Sequence, residues 1–309
     1  MKVYHGVENF VAPEFPVITT GTFDGVHEGH MKILSRIKAL AKKHNGETVV
    51  VSFDPHPRSV IHPHLEIKLI HTIEEKIERL EEAGIDHFVI IPFTLAFSRT
   101  TSFEFVRDIL VNTLNAKLLV IGYDHQFGRN REGSVKELEE YAMTYGFQIE
   151  QIQAETFEDI NISSTKIRKA LNEGNFEIAN QFLGYAFMLT GTVIHGNKLG
   201  NSIGFPTANI HIESSFKLIP ASGVYVVHIL VGNRTYGGML NIGSKPTVNL
   251  TTEKSIEVNI FDFEADVYGK TIQVYFQHRI RNEQKFDSLD ELKKQLARDK
   301  ETSIKLLAK

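Results

Sequence analysis

The chain has no cysteine and no tryptophan. Without thiols it can form no disulfide, hold no thiolate-ligated metal and use no cysteine nucleophile. No apolar run reaches the roughly 20 residues that a membrane-spanning helix needs. Neither charge dominates: 34 basic residues face 38 acidic ones, for a net charge of −4 and a pI near 6.4. That balance gives no bulk attraction to nucleic acid or to an anionic membrane, and neither is expected as a partner. The phosphate-loop pattern G-x-x-x-x-G-K-[ST] is missing, as are internal repeats and any low-complexity linker. The opening Met1-Lys2-Val3-Tyr4-His5 does not read as a secretory leader, so a cytoplasmic location is expected. The N-x-[ST] matches at Asn161 and Asn249 then carry no glycosylation meaning. What remains is an ordinary globular composition, 42% hydrophobic and 23% charged, over 309 residues. That length suits two domains, each large enough for its own core.

The first half alternates short apolar runs with amphipathic ones. Val17–Thr20, Thr48–Phe53, His87–Phe93, Lys117–Gly122 and Phe147–Ile152 read as buried strands. Helices are expected after His30, after the capping box Thr72-Ile73-Glu74-Glu75, from Ser102 with Val106, Ile109, Leu110 and Leu114 on one face, and from Ser134 to Tyr145. Such alternation predicts an α/β domain with a parallel sheet covered on both faces. Residues 163–183 read as two short helices. Beyond Leu183-Gly184 the period changes to that of strands: 187–195, 207–212, 223–231, 234–242, 255–263 and 271–280. Six strands without intervening helices predict a small antiparallel barrel. Ser288-Leu289-Asp290-Glu291 starts a closing helix striped by Leu289, Leu292 and Leu296. The domains are expected at 1–185 and 186–309.

The string Gly21-Thr22-Phe23-Asp24-Gly25-Val26-His27-Glu28-Gly29-His30 joins the first of these strands to a helix, the place where parallel sheets build phosphate sites. Gly21 and Gly25 permit a tight turn, and Gly29 permits close approach. Two imidazoles at a helix N-terminus can stabilise charge on a transferring phosphoryl group. Phe53-Asp54-Pro55-His56-Pro57 forms a proline-stiffened loop at a strand end. His56, His62 and His64 read as solvated loop histidines rather than metal ligands, because no carboxylate or thiol spacing accompanies them. In Ile162-Ser163-Ser164-Thr165-Lys166-Ile167-Arg168, Ser164 or Thr165 is expected to cap a helix, with Arg168 one turn in. Hydroxyls, free N–H groups and a guanidinium together make an anion site. Between two predicted strands of the second half, Gly196, Gly200 and Gly204 punctuate a loop able to wrap phosphates. Glu257 alternates with Ile256 and Val258 and by pattern faces solvent.

Taken together these motifs resemble those of bacterial bifunctional riboflavin kinase/FMN adenylyltransferases, the prokaryotic FAD synthetases. The similarity rests on the Gly21–His30 string, on Phe53–Pro57, on Gly122–Arg129, on Ser163–Arg168, on His195–Asn209, on Asn241–Thr247, on Glu257 and on Arg279–Phe286, and so covers nearly the whole chain in order. It implies a Rossmann-like nucleotidyltransferase domain followed by a riboflavin kinase barrel. It implies that riboflavin, FMN and ATP are the small-molecule substrates, FMN and FAD the products and Mg²⁺ the metal. His27, His30 and Glu257 would be catalytic, Glu257 as the base on the ribityl 5′-hydroxyl. ATP and phosphates would be held by Gly21, Phe23, Asp24, Gly29, Ser163, Ser164, Thr165 and Arg168 in the first half. In the second they would be held by Gly196, Lys198, Gly200, Gly204, Thr207 and Asn209. The flavin would contact Phe53, Pro55, Pro57, Asp124, Phe127, Arg281 and Glu283, and Mg²⁺ would take Thr207 and Asn209. Asn201 and Lys245 stand where relatives commonly carry arginine. Two other readings fit the same motifs: a chain with a weakened kinase half, and a flavin-binding regulator.

Overall fold

Valine and isoleucine dominate the strands of the first half, and both faces of the sheet that they form are buried. The computed structural model describes all residues except 123–125, 130–131, 153–161, 197–199, 201–202, 247–251 and 309. Contacts divide the chain into two units, Met1–Ser163 and Ser164–Lys309.

The first unit holds six parallel strands: β1 (Lys2–His5), β2 (Pro16–Thr20), β3 (Glu47–Asp54), β4 (His87–Pro92), β5 (Leu118–Gly122) and β6 (Gln148–Ile152). Their order is β1-β4-β3-β2-β5-β6. The chain leaves β2 to one side for β3 and returns on the other side as β5, so the C-terminal end of β2 lies at the topological switch point, where open α/β sheets bind ligands. Helices α1 (Glu28–Lys43), α2 (Pro57–Ile61) and α3 (Ile73–Glu82) follow β2 and β3. Leu34, Ile37 and Leu40 of α1 and Leu80 of α3 pack with Val17, Val50 and Phe88 on one face of the sheet. On the other face Ile18, Val49, Val51, Val89 and Leu119 meet Val106 and Leu110 of α4 (Ser102–Glu104 and its continuation Phe105–Thr113) and Leu138 of α5 (Val135–Tyr145).

Several expectations shift. Helix α1 begins at Glu28, not at His30, because His27 is its N-cap. Helix α4 opens at Ser102 as expected, with Thr101 as its cap in a reciprocal pair with Glu104. After Ser102–Glu104 the helix continues as a π-helix over Phe105–Thr113. Its last bond, Leu114 N–H to Ile109 C=O at 2.9 Å, shows the wider spacing. The edge strand β1 was not foreseen. The capping boxes at Thr72 and Ser134 are present with both partners.

The second unit opens with α6 (Ser164–Glu173) and α7 (Phe176–Leu183). Six antiparallel strands follow: β7 (Met188–Ile194), β8 (Ala208–His211), β9 (Gly223–Val231), β10 (Arg234–Pro246), β11 (Thr252–Ile260) and β12 (Thr271–Arg281). They close in the order β10-β11-β8-β7-β12-β9. The ladder between β8 and β11 is only two residue pairs long, Glu257 with Asn209 and Val258 with Ala208. The helix pair packs on this barrel. Phe176 stacks on Phe276 at 4.9 Å and meets Tyr225 edge-on at 5.2 Å. Asn180 donates to the Phe276 carbonyl (2.9 Å) and accepts from the Phe187 N–H (2.8 Å). The change of sequence character at 185/186 and the packing division at 163/164 are therefore separate features. Helix α8 (Leu289–Leu307) starts at the Ser288 cap, as expected. Leu289 itself, in the first turn, is 53% exposed and does not join the packed stripe.

Candidate active sites

In the first unit the site grows from the turn after β2. Phe23 (φ +46°), Gly25 (φ +90°) and Val26 (φ +36°) all have left-handed backbone. That conformation is costly for a β-branched residue. The turn delivers His27 as the N-cap of α1, its Nδ1 accepting from the His30 N–H at 3.4 Å. The two imidazoles stack at 3.7 Å, with Phe23 5.1 Å from His30. Gly29 makes room for this pair: a Cβ there would sit 3.1 Å from His27 Cε1. A Cβ on Gly21 would likewise press on the Phe23 ring at 3.1 Å. The close approach permitted at Gly29 is thus used first by His27 itself. His30 Nδ1 is buried and has no hydrogen-bond partner among the described residues. Burial, together with the neighbouring His27 and Lys76, holds the His30 pKa well below the usual imidazole range. His30 is accordingly a neutral imidazole at pH 7. Asp24 is buried, and its Oδ1 accepts the backbone N–H groups of Ile70 (2.9 Å) and His71 (3.2 Å). It ties the turn to the segment ahead of α3.

Phe53, next to the end of β3, lies in an aromatic cluster with Phe93 (5.6 Å) and Phe97 (5.9 Å). Pro55 follows a cis peptide bond, and Pro57 is the first residue of α2, capped by His56. Phe127 is buried near Phe105 and pairs with Gly133. Asp124 lies outside the described residues. Phe93 and Phe97 were missed in the sequence because they read as a strand end and a loop. A larger groove, about 700 Å³, runs along the flank of α1 and β6 and contains neither histidine. It therefore says nothing about this chemistry. Ser163 closes the first unit. Ser164 is already the first residue of α6, so neither Ser164 nor Thr165 is its cap, while Arg168 lies one turn in as expected.

In the second unit a cavity of about 300 Å³ is lined by Gly200, Phe205, Thr207, Asn241, Glu257, Asn259, Arg281, Glu283 and Phe286, with Leu292 and Leu296 of α8. Glu257 does not face open solvent, contrary to its pattern. The barrel face that carries it is roofed by α8 and the 282–288 segment, so it lies half-buried in the cavity wall. Its strand neighbours are Asn209 on β8 and Asn241 on β10. Asn259 Nδ2 donates to the Pro206 carbonyl at 2.7 Å, anchoring the glycine loop. A Cβ on Gly200 would collide with the Phe205 carbonyl and press on Thr207 Oγ1. One on Gly196 would collide with the Asn209 amide. These two glycines thus form a cradle around the Thr207 and Asn209 oxygens, and Gly204 has left-handed backbone at φ +85°. Arg281 is committed to the buried Asp299 of α8 through Nη2 (2.8 Å) and Nε (3.0 Å), and its guanidinium lies 5.8 Å from the Phe286 ring. Glu283 reaches the backbone at Gly243, where a Cβ would lie 2.8 Å from its Oε1. Lys198 lies outside the described residues. Asp299 was not foreseen.

The first unit is an α/β domain with two imidazoles and a capped helix at its switch point, as nucleotidyltransferases require. The second is a closed barrel with Glu257, Gly200 and Thr207 in the wall of one cavity. The FAD synthetase family model matches residues 11–166 and the riboflavin kinase model residues 183–307. The chain is 39% identical to the bifunctional riboflavin kinase/FMN adenylyltransferase of Escherichia coli K12 over 98% of its own length and 97% of the relative's. It is 36% identical to that of Bacillus subtilis 168, covering 94% and 92%. It belongs to the family of bifunctional riboflavin kinase/FMN adenylyltransferases. A crystal structure named as a macrolide-efflux protein from Streptococcus pneumoniae shares the fold, with a TM-score of 0.88 and 32% identity, covering 98% of this chain and 99% of that one. Among the described residues of the present chain, no helix is long and apolar enough to cross a membrane.

Proposed function

We propose that the two sites divide the work of this family as follows. The chain phosphorylates riboflavin to FMN with ATP, and adenylylates FMN to FAD with release of pyrophosphate. In the barrel, Glu257 takes the proton of the ribityl 5′-hydroxyl as that oxygen attacks the γ-phosphorus of ATP, and ADP leaves. Thr207 and Asn209 present neutral oxygens beside the glycine cradle, a donor set suited to Mg²⁺, which keeps waters and takes phosphate oxygens. Bound there, Mg²⁺ would neutralise charge on the transferring phosphoryl group. Arg281, Glu283 and Phe286 would wall the flavin, with Arg281 oriented by Asp299.

At the switch point, an FMN phosphate oxygen attacks the α-phosphorus of ATP in line. His27 and His30, held at the N-terminus of α1, hydrogen-bond the phosphate oxygens. Gly21, Phe23, Asp24 and Gly29 shape the turn that carries them. Ser163, Ser164, Thr165 and Arg168 serve the leaving pyrophosphate, and Phe53, Pro55, Pro57 and Phe127 the flavin. The observation that carries this reading is the buried, unpartnered Nδ1 of a neutral His30 at the end of β2, a donor or acceptor kept for a ligand. The functional division is proposed at 185/186, although the helix pair 164–183 packs on the barrel.

Incubation with riboflavin, ATP and Mg²⁺, followed by separation of the flavins, tests it. FMN should appear first and FAD after it. FMN accumulating with no FAD, even from added FMN, would remove the adenylyltransferase assignment. Failure to form FMN while added FMN is converted would instead favour a weakened kinase half.

A further inference from the structure

Helix α3 buries a lysine beneath the first site. Lys76 is 7% exposed, and its Nζ donates to the Thr22 carbonyl at 2.8 Å and reaches Ser52 Oγ at 3.4 Å. Ser52, fully buried on β3, donates to the same Thr22 carbonyl at 3.2 Å. Thr22 opens the turn in which Phe23, Gly25 and Val26 take left-handed backbone, and which ends at His27 and His30. A buried ammonium is costly unless it is fully hydrogen-bonded and has charge nearby. Burial lowers the Lys76 pKa, while the carboxylates of Asp24 and Asp54 oppose that shift. Lys76 lies one turn before the buried Leu80, on the same helix face.

Resting on the reading of this turn as the adenylyl-transfer site, we propose that Lys76 is a positioning residue. Its ammonium clamps the Thr22 carbonyl, holds the strained turn closed and thereby fixes the stacked His27 and His30 pair. It also presents a fixed positive charge to His30. The charged or titratable groups acting on His30 are Lys76 and His27, and those acting on Lys76 include Asp24 and Asp54. Burial first, and then both neighbours of His30, disfavour its protonation, so it stays a hydrogen-bonding imidazole rather than a cation. Loss of the ammonium removes the clamp and one of the two charges that act on His30 together. A lysine that served packing alone would leave the titration of His30 where it is.

The test compares Lys76→Met, Lys76→Gln and His30→Ala in the full chain. FAD formation from FMN and ATP is measured as kcat and KM, FMN formation from riboflavin serves as the internal control, and the His30 imidazole is titrated by NMR. Lys76→Met should lower kcat for FAD formation tenfold or more, with KM for FMN within about threefold and FMN formation unchanged. The His30 titration should move to higher pH. Lys76→Gln keeps a donor without the charge, so it should fold even where Lys76→Met does not. It should lose less rate but show the same upward shift of His30. His30→Ala should lose at least a hundredfold in FAD formation. If that loss occurs while the lysine variants that fold keep parental kcat and parental His30 titration, the inference is overturned and the site reading stands. If His30→Ala makes FAD at the parental rate, the site reading falls and this inference with it.

Discussion

Replacing Asp299 by alanine tests how the kinase cavity is held. Asp299 has a side chain 2% exposed, and its partner Arg281 is 16% exposed. The carboxylate takes bonds from Arg281 Nη2 (2.8 Å) and Nε (3.0 Å) and from Gln295 Nε2 (2.9 Å). Removing it strands the guanidinium in a mostly desolvated site, which costs about 3–5 kcal/mol. One kcal/mol shifts the midpoint of a domain of 150–250 residues by roughly 2–4 °C. The barrel transition should therefore fall by roughly 6–20 °C, the product of those two ranges. The double variant Arg281→Met/Asp299→Leu removes both charges and fills the volume, so it should be more stable than Asp299→Ala alone. Calorimetry of the full chain resolves this, read beside FMN formation, which should drop as Arg281 loses its orientation. Near-additive losses, with the double variant the least stable, would refute the claim that an uncompensated charge is the cause.

Two further outcomes are expected. Glu257→Gln keeps the shape of the cavity wall and removes the base. FMN formation should fall by about 10²–10⁴-fold, with riboflavin still quenched on binding and FAD still made from added FMN. A single-turnover rate within about twofold of the parent would exclude Glu257 as the base. A fragment of residues 164–309 should fold and phosphorylate riboflavin, and should be more stable than 187–309. The shorter piece loses Phe176, whose burial stabilises by about 1.5–3 kcal/mol, together with the Asn180 bonds to Phe187 and Phe276. Equal melting temperatures would show that the helix pair contributes nothing to the barrel.

The sequence made both architectures legible wherever one period ran for several residues. Val49–Val51 and Phe88–Ile91 announce buried parallel strands, and the alternation around Ile256–Ile260 announces a barrel strand. The histidine turn and the glycine loop were visible because their residue types fit few other purposes. What was hidden follows from position rather than composition. Strand β1, Lys-Val-Tyr-His, is four residues at a partly exposed edge, too short for a period. The π-helical stretch keeps an apolar face that a 3.6-residue period also fits. Lys76 sits among Glu74, Glu75, Glu78 and Arg79 and reads as part of a solvated face. Yet the run Ile73, Lys76, Ile77, Leu80 places it where the pattern asks for an apolar residue. Asp299 stands likewise at a core position of α8, seven residues after Leu292. Glu257 was assigned to the correct face of its strand. That face turned out to be roofed, because sequence alternation distinguishes two faces but not what covers them.

The two-pair ladder between β8 and β11 has a consequence for how the barrel breathes. Every other seam of the closed sheet is longer, from three pairs between β7 and β8 to nine between β9 and β10 and between β10 and β11. Cooperative opening releases the least-bonded contiguous region first, and here that region carries Asn209 and Glu257 facing each other across the gap. A ring that is otherwise continuous can part locally at this one join and reclose, with its remaining strands still paired. The part of the barrel that is cheapest to loosen is then the part that carries Glu257, the proposed base.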